Sequence, residues 1–142
     1  QAANAMVIPM PPSVIDFSST VSFVDMARTT MEQLEQLGGR ARPAYNFIRV
    51  VASRVDENKS MHRELLAMMR DVFGGSLLTS IMPTSAEIDN ASSRLKTVFE
   101  LDRPVTSREV HMRCVKYLNA VCEEIEQEVI GSWASRAGEV MA

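Results

Sequence analysis

The chain alternates short apolar runs with longer amphipathic stretches, which predicts strands and helices in turn. The first run, Met6–Met10, is short and apolar like a buried parallel strand. The next stretch predicts a helix with Ser13 as its N-cap residue, Asp16 in its first turn and Gly38–Gly39 at its end. The apolar stripe of this helix is expected to face the core: Val14, Phe17, Val21, Val24, Met31 and Leu34.

The middle of the chain predicts two further strands with a helix between them. Tyr45–Ala52 is rich in aromatic and β-branched residues and is the clearest strand. Asp56–Asn58 is polar and is expected to cap an amphipathic helix that begins at Lys59 and ends at Phe73. Leu77–Met82 predicts the third strand. The core-facing stripe of the helix is expected to be Met61, Leu65, Met68 and Val72.

The last part of the chain predicts two helices. Ser85, or Thr84 before it, is expected to cap a short helix that ends near Leu95. The secondary structure of Lys96–Leu101 is ambiguous from the sequence, and an extended conformation is one possibility. Thr106 and Glu109 form a capping-box pattern ahead of a long helix that is expected to end near Trp133. Its apolar stripe is Val110, Cys114, Leu118, Val121, Ile125, Val129 and Trp133, the last as a core or interface anchor.

Strands that are joined by helical crossovers run parallel, and a parallel sheet needs helices on both faces. The sequence therefore predicts an α/β fold with a long C-terminal helix. Three strands make a small sheet with open edges, and no glycine-rich phosphate loop follows any of them. The chain opens on Gln1 and enters the first strand almost at once. We therefore expect residues 1–142 to be one domain, the C-terminal half of a doubly wound, mainly parallel sheet.

Composition, net charge and the spacing of the cysteine and histidine residues narrow the classes of protein that fit this sequence. A hydrophobic content of 46% and a charged content of 23% are ordinary for a globular domain. A net charge of -3 does not favour a dedicated nucleic-acid binder, although it leaves a local basic face open. Cys114 and Cys122 stand about 12 Å apart along one predicted helix, too far for a disulfide, and are expected to be reduced and buried in a cytosolic protein. His62 and His111 have no third ligand at metal-site spacing and are expected to be surface or packed residues.

Ligands of open parallel sheets bind at the carboxyl ends of the strands. Here those ends are Pro9–Ser13, Ser53–Asp56 and Met82–Ser85. The three loops are expected to form one wall of a nucleotide pocket. Ordinary turn chemistry explains the same Pro, Ser and Asp residues, so this second interpretation stays open.

The segment Phe73–Ile88 resembles the C-terminal half of the ParA-type plasmid partition ATPases, a P-loop NTPase family with deviant Walker motifs, and is most similar to its RepA branch. Ala3–Pro9, Lys96–Glu100 and Leu118–Ile125 resemble the same branch, in the same order. The resemblance implies an ATP- and magnesium-dependent dimer that segregates DNA. It implies nonspecific DNA binding, a ParB-type centromere-binding partner, and a cytoplasmic, nucleoid-associated location without a membrane.

The resemblance also implies site residues. The pair Ser53–Arg54 matches the family's adenine-approaching pair, and Pro83 matches the proline beside the base. Arg54 is expected to stack on a purine through its planar guanidinium, or else to lie on the surface paired with Asp56. The candidate DNA-binding residues are Arg94, Lys96, Arg103, Arg108, Arg113 and Lys116. Solvated helix surface explains these cations equally well, because acidic residues such as Glu100, Asp102 and Glu109 lie among them.

In this family the phosphate loop, its signature lysine and the magnesium-binding aspartates correspond to sequence upstream of Gln1. We therefore expect the chain by itself to have no catalytic residue, no metal site, no bound cofactor and no ATPase activity. The alternative is a stand-alone α/β interaction module without nucleotide. A membrane-associated division-site relative is disfavoured, because the last helix carries a run of acidic residues expected to form its solvated side: Glu123, Glu124, Glu126 and Glu128.

Overall fold

The structure, a computed structural model, describes residues 5–36 and 47–141. These residues form a mixed α/β arrangement with a two-stranded parallel sheet and a long C-terminal helix. Short 3₁₀ turns lie at Gly74–Ser76 and Val98–Glu100. The regular elements are β1 (Met6–Met10), α1 (Val14–Gln36), β2 (Ile48–Ala52), α2 (Ser60–Phe73), α3 (Ala86–Ser93) and α4 (Arg108–Met141).

The sheet joins the first two predicted strands side by side. Met6 lies opposite Ile48 and Met10 opposite Ala52, in parallel register. β1 has the predicted bounds. β2 begins at Ile48, later than predicted, with Phe47 just before it; the predicted start at Tyr45 lies outside the described residues.

The predicted third strand is wrong in detail. Residues 77–83, here called the third segment, lie beside β2 and run parallel to it, but they form isolated bridges instead of a strand: Leu77 pairs with Val50 of β2, and Pro83 with Val55 just after it. The N–H of Leu78 donates to the carbonyl of Val50, and that of Met82 to the carbonyl of Ala52, both at 2.8 Å. Four residues of the third segment therefore match two of β2, and the surplus bends out at residues 79–80. The described residues thus form a two-stranded parallel sheet with a bridged third segment instead of the predicted three-stranded sheet.

Helices cover both faces of the sheet, as a parallel sheet requires. On one face, α1 and α2 pack a core around Val50 and Met69, which are fully buried. Phe17 of α1 meets Phe73 of α2 edge to face, with ring centroids 6.0 Å apart. On the other face, Val51 packs with Leu78 of the third segment and Val121 of α4. Successive side chains of β2 thus point alternately into the two layers.

The apolar stripe of α2 differs from the prediction. Leu65 is buried as predicted, but Met61, Met68 and Val72 are 57%, 48% and 53% exposed. The helix buries Leu66, Met69 and Phe73 together with Leu65. This face is rotated by about one residue from the predicted face, because Phe73 packs on Phe17.

The stripe of α1 follows the prediction in its middle. Val24 is buried, while Phe17 and Val21 pack against the core as partly buried residues. Val14, at the first position of the helix, is 67% exposed, so its placement in the core was wrong. The side chain of Leu34 lies outside the description.

Two predicted helix caps are present. The Ser13 side-chain oxygen accepts a hydrogen bond from the Asp16 N–H at 3.1 Å, and the Ser13 hydroxyl donates to the Asp16 carboxylate. The Ser85 oxygen accepts from the Glu87 N–H at 3.3 Å at the start of α3. Both serines thus satisfy a free N–H of a first turn.

Two other cap predictions are corrected. Lys59, without a side-chain cap bond, is the N-cap residue of α2, while the Asp56 carboxylate accepts from the Asn58 N–H in the preceding turn. At α4, Ser107 accepts from the Val110 N–H at 3.2 Å, because the Thr106 hydroxyl is bound elsewhere. The open stretch before it holds a 3₁₀ turn whose capping box joins Thr97 and Glu100.

Helix α4 extends beyond the predicted end near Trp133 and is described to Met141. Cys114 and Val121 on its inner face are buried, as predicted. Cys122 is exposed rather than buried, and Trp133 is 63% exposed and so does not anchor the core. Both lie away from the face that packs on the sheet. No helix in the described part of the chain is long and apolar enough to cross a membrane.

Candidate functional site

The carboxyl ends of the three parallel segments lie next to one another. The N–H of Ser53 donates to the carbonyl of Met10 at 2.9 Å, which ties the end of β2 to the end of β1. The N–H of Val55 donates to the carbonyl of Met82 at 3.0 Å, and the N–H of Thr84 returns a bond to Val55 at 2.8 Å. These bonds form one continuous edge, here called the rim, from residue 10 through residues 53–55 to residues 82–84.

Arg54 stands in the middle of the rim in an unusual backbone conformation. Its φ is 54°, in the left-handed region that non-glycine residues seldom adopt. Its neighbours Ser53 and Val55 are 8% and 2% exposed, whereas Arg54 itself is exposed. The two buried neighbours hold the strained residue in place, and its side chain is left exposed.

The sequence-predicted pair Ser53–Arg54 and Pro83 come together on this rim. Val55 and Pro83 form a parallel bridge, so Pro83 lies one segment away from Arg54. Pro83 also lines a small cavity of about 130 Å³ together with Thr84 and the buried Cys114. The surface pairing of Arg54 with Asp56 does not form in the described residues; Asp56 lies 3.9 Å from Lys59 instead.

Glu87 of α3 holds the loop before α4 in place. Its carboxylate is fully buried and accepts hydrogen bonds from the N–H groups of Val105 and Thr106 and from the Thr106 hydroxyl, at 2.6–3.0 Å. Nδ1 of His111 lies 3.2 Å away, which makes His111 the packed residue that the sequence suggested. The hydrogen bond from the Thr106 hydroxyl is the main reason why the pKa of Glu87 falls from its ordinary 4.5 to about 2; burial opposes the fall, and the two backbone N–H groups and His111 add to it.

Sequence reasoning missed Glu87. It has the appearance of an ordinary acidic residue in a first helical turn, and its partners lie 18 to 24 residues away in the chain. The one signal was Thr106, which the capping-box pattern assigned to Glu109 instead.

Two glutamates of α4 hold the sheet rather than face solvent. Burial alone would raise the pKa of Glu124, but hydrogen bonds from the Thr79 and Ser80 N–H groups, at 2.7 and 2.8 Å, lower it overall. Glu128 forms a 2.6 Å ion pair with Arg49 of β2. The prediction that the whole acidic run is the solvated side of α4 is therefore wrong for these two members.

The six candidate DNA-binding residues are exposed but do not form one patch. Arg94, Lys96 and Arg103 line a recess of about 280 Å³, where Lys96 lies 4.0 Å from Asp102. Arg113 and Lys116 of α4 line a different cleft, which lies between α2 and α4. Arg108 is the first residue of α4. Five of the six basic residues are thus divided between two sites, and Arg108 lines neither of them.

The described residues offer no group of three or more His, Cys, Asp or Glu side chains placed to hold a metal ion. His62 accepts a hydrogen bond at Nδ1 from the Asp56 N–H at 3.0 Å, so it stabilises the turn after β2.

Known proteins with similar sequences carry partition and replication names, although no family model matches the chain. It is 24% identical over 132 residues to a putative replication protein A of Rhizobium rhizogenes, and 24% identical over 132 residues to protein SopA of Escherichia coli (strain K12). The alignments cover 93% and 91% of the chain. A solved structure described as a partition protein superposes with a TM-score of 0.59 at 20% identity, over 89% of the chain and 30% of that protein.

The chain is thus distantly similar to partition proteins of the ParA type. The predicted family resemblance is thereby confirmed. The chain spans about a third of the length of the curated relatives it matches, 32% in both cases above. The structural likeness, at 20% identity, concerns the fold alone.

Proposed function

We propose that the chain is the C-terminal part of a plasmid partition ATPase and that its rim is the adenine-facing wall of the nucleotide site. The observation that carries this proposal is the hydrogen-bonded alignment of three carboxyl ends around Arg54. Strained residues persist where the surrounding structure holds them, and they concentrate at ligand-binding sites. Arg54 combines such strain with a planar cation directed outward.

In this proposal each rim residue has a distinct task. The Arg54 guanidinium stacks on the purine, where a cation over an aromatic face contributes about 0.5–2 kcal/mol. Pro83 gives the base a rigid apolar neighbour. Ser53 fixes the backbone that presents Arg54, since its own N–H is bound to Met10. The phosphate loop and the magnesium ligands come from the remainder of the parent protein, so phosphoryl transfer is not a property of this chain.

The proposal includes a DNA-facing role for the six basic residues and dimerisation of the parent protein. Phosphate contacts need positive charge on one surface but no base readout. The recess of Arg94, Lys96 and Arg103, at the end of α3 and in the loop after it, is one candidate surface for such contacts. A ParB-type protein is the proposed partner.

The test is ATP binding by the longer gene product with variants at Arg54. The upstream coding sequence is expected to hold a glycine-rich loop with two lysines. Arg54→Gly keeps the left-handed backbone without strain and removes the whole side chain, the guanidinium included. We expect it to weaken ATP binding about 2- to 30-fold. The control, Lys59→Gln, removes an exposed cation after the same strand and is expected to leave the affinity unchanged.

An unchanged ATP affinity in Arg54→Gly, or equal losses in both variants, would refute the adenine-facing assignment. An upstream stop codon or an unrelated domain would favour the second candidate, a stand-alone interaction module. The observation behind that candidate is the outer face of α2, where Met61, Met68 and Val72 are all about half exposed.

A further inference from the structure

A cleft between α2 and α4, next to the third segment, brings together three cationic side chains. Its volume is about 530 Å³. Arg70 comes from α2, while Arg113 and Lys116 come from α4, and these helices pack on opposite faces of the sheet. Residues 79–81 of the third segment also line the cleft. The cleft therefore depends on the tertiary fold and is not a stretch of one basic helix.

The three cations have no acidic partner among the residues that the structure describes. No ion pair in residues 5–36 or 47–134 involves Arg70, Arg113 or Lys116, whereas Arg49 and Lys59 each have one. The carboxylate that lines the cleft, Glu57, is engaged by the Tyr117 hydroxyl, which donates to it at 2.9 Å. Three positive charges thus face one negative charge, an excess of two.

We propose that this cleft binds a small phosphate monoester. Such a group carries about two negative charges at neutral pH, which matches the excess. Arginine offers a planar fork that fits phosphate oxygens, and lysine adds a point charge. Ile81, Ala120 and the ring of Tyr117 give the cleft an apolar wall for the body of the ligand. The volume is typical of small-molecule sites.

A peptide strand fits this cleft less well. An added strand needs free backbone donors along the edge that it joins, but the N–H groups of Thr79 and Ser80 are bound to Glu124. The inference is independent of the proposed nucleotide wall, because it uses none of the rim residues, but it assigns Arg113 and Lys116 to a small ligand instead of DNA.

The experiment titrates phenyl phosphate and inorganic phosphate into the chain, with calorimetry for affinity and backbone amide NMR for location. We expect phenyl phosphate to bind more tightly than inorganic phosphate and to shift the amide signals of Ile81, Tyr117 and Ala120. Arg70→Gln and Arg113→Gln are each expected to weaken binding about tenfold. The matched control is Arg28→Gln, an exposed arginine of α1 that lines no part of the cleft.

Several results would overturn the proposal. Equal weakening by Arg28→Gln and Arg70→Gln would mean diffuse attraction to the surface. Signal shifts confined to other parts of the chain, or no binding at millimolar phenyl phosphate, would also exclude the site. If a short DNA duplex, but not phenyl phosphate, responds to Arg70→Gln and Arg113→Gln, the cleft is a nucleic-acid contact instead. Unchanged circular dichroism spectra establish that the variants are folded.

Discussion

Replacing Glu124 by glutamine tests whether α4 holds the bend in the third segment. The carboxylate accepts hydrogen bonds from two neighbouring N–H groups, those of Thr79 and Ser80, and from the Thr79 hydroxyl at 3.0 Å. Glutamine keeps one oxygen but presents an NH₂ group to the second donor. One N–H then faces another donor and loses its partner.

The cost follows from these contacts. A hydrogen bond to a charged group contributes about 1.5–3 kcal/mol, and a partly buried donor without a partner costs about 1–3 kcal/mol. Because the site is only partly buried, we expect Glu124→Gln to lower the free energy of unfolding by about 2 kcal/mol. For a domain of this size that corresponds to a fall in Tm of roughly 4–8 °C.

Thermal unfolding measures the total effect, and amide hydrogen exchange locates it. Exchange at Thr79 and Ser80 is expected to accelerate more than exchange in β2. The control is Glu123→Gln, one residue away and exposed, with an expected change within about 0.5 kcal/mol. If both variants unfold at the same temperature, or if Thr79 and Ser80 exchange as in the wild type, Glu124 does not hold the bend.

Three further predictions follow from the core, the buried carboxylate and the proposed function. Met69→Ala removes a fully buried side chain and is expected to lower the free energy of unfolding, measured in urea, by about 2–5 kcal/mol. Met68→Ala, at a position that is 48% exposed, is expected to have a much smaller effect, and equal losses would contradict the observed face of α2. Since the pKa of Glu87 is lower in the folded state, the stabilisation by this carboxylate is complete above its unfolded pKa near 4.5 and is lost as pH falls through about 2. When the free energy of unfolding is measured against pH in this acid range, it is expected to fall less steeply in Glu87→Gln than in the wild type, and an unaltered slope would count against the buried cluster. The purified chain is expected to release no phosphate from ATP above a no-protein blank, and release above that blank would contradict the assignment of the catalytic groups to the rest of the parent protein.

Local signals in the sequence predicted the order of most elements and the direction of the strands. Met6–Met10 is short, apolar and ended by prolines, and Ser13 and Ser85 each precede an amphipathic stretch. Such features act within a few residues, so one sequence is enough to identify them. The parallel direction follows from the helices between the strands, and the meeting of Ser53 and Pro83 on one rim follows from that direction.

Features decided by distant contacts were not predictable. Apolar residues lie on two overlapping faces of α2, and the choice between them depends on Phe17, more than 50 residues before Phe73 in the chain. Likewise, Leu77–Met82 has the composition of a strand, while the acceptor that bends it, Glu124, lies on another helix. Glu87 and the cleft cation Arg70 show no pattern in the sequence, because their surroundings form only when α3, α4 and α2 pack.

The bend at Thr79 and Ser80 has a consequence for assembly. A flat border with free N–H and C=O groups recruits strands from other molecules, and natural proteins prevent this with kinks and short pairing segments. The surplus residues distort one border of the sheet, and Glu124 occupies two donors there. Lateral growth of the sheet is thereby directed to the opposite border, along β1, where a further strand would join it.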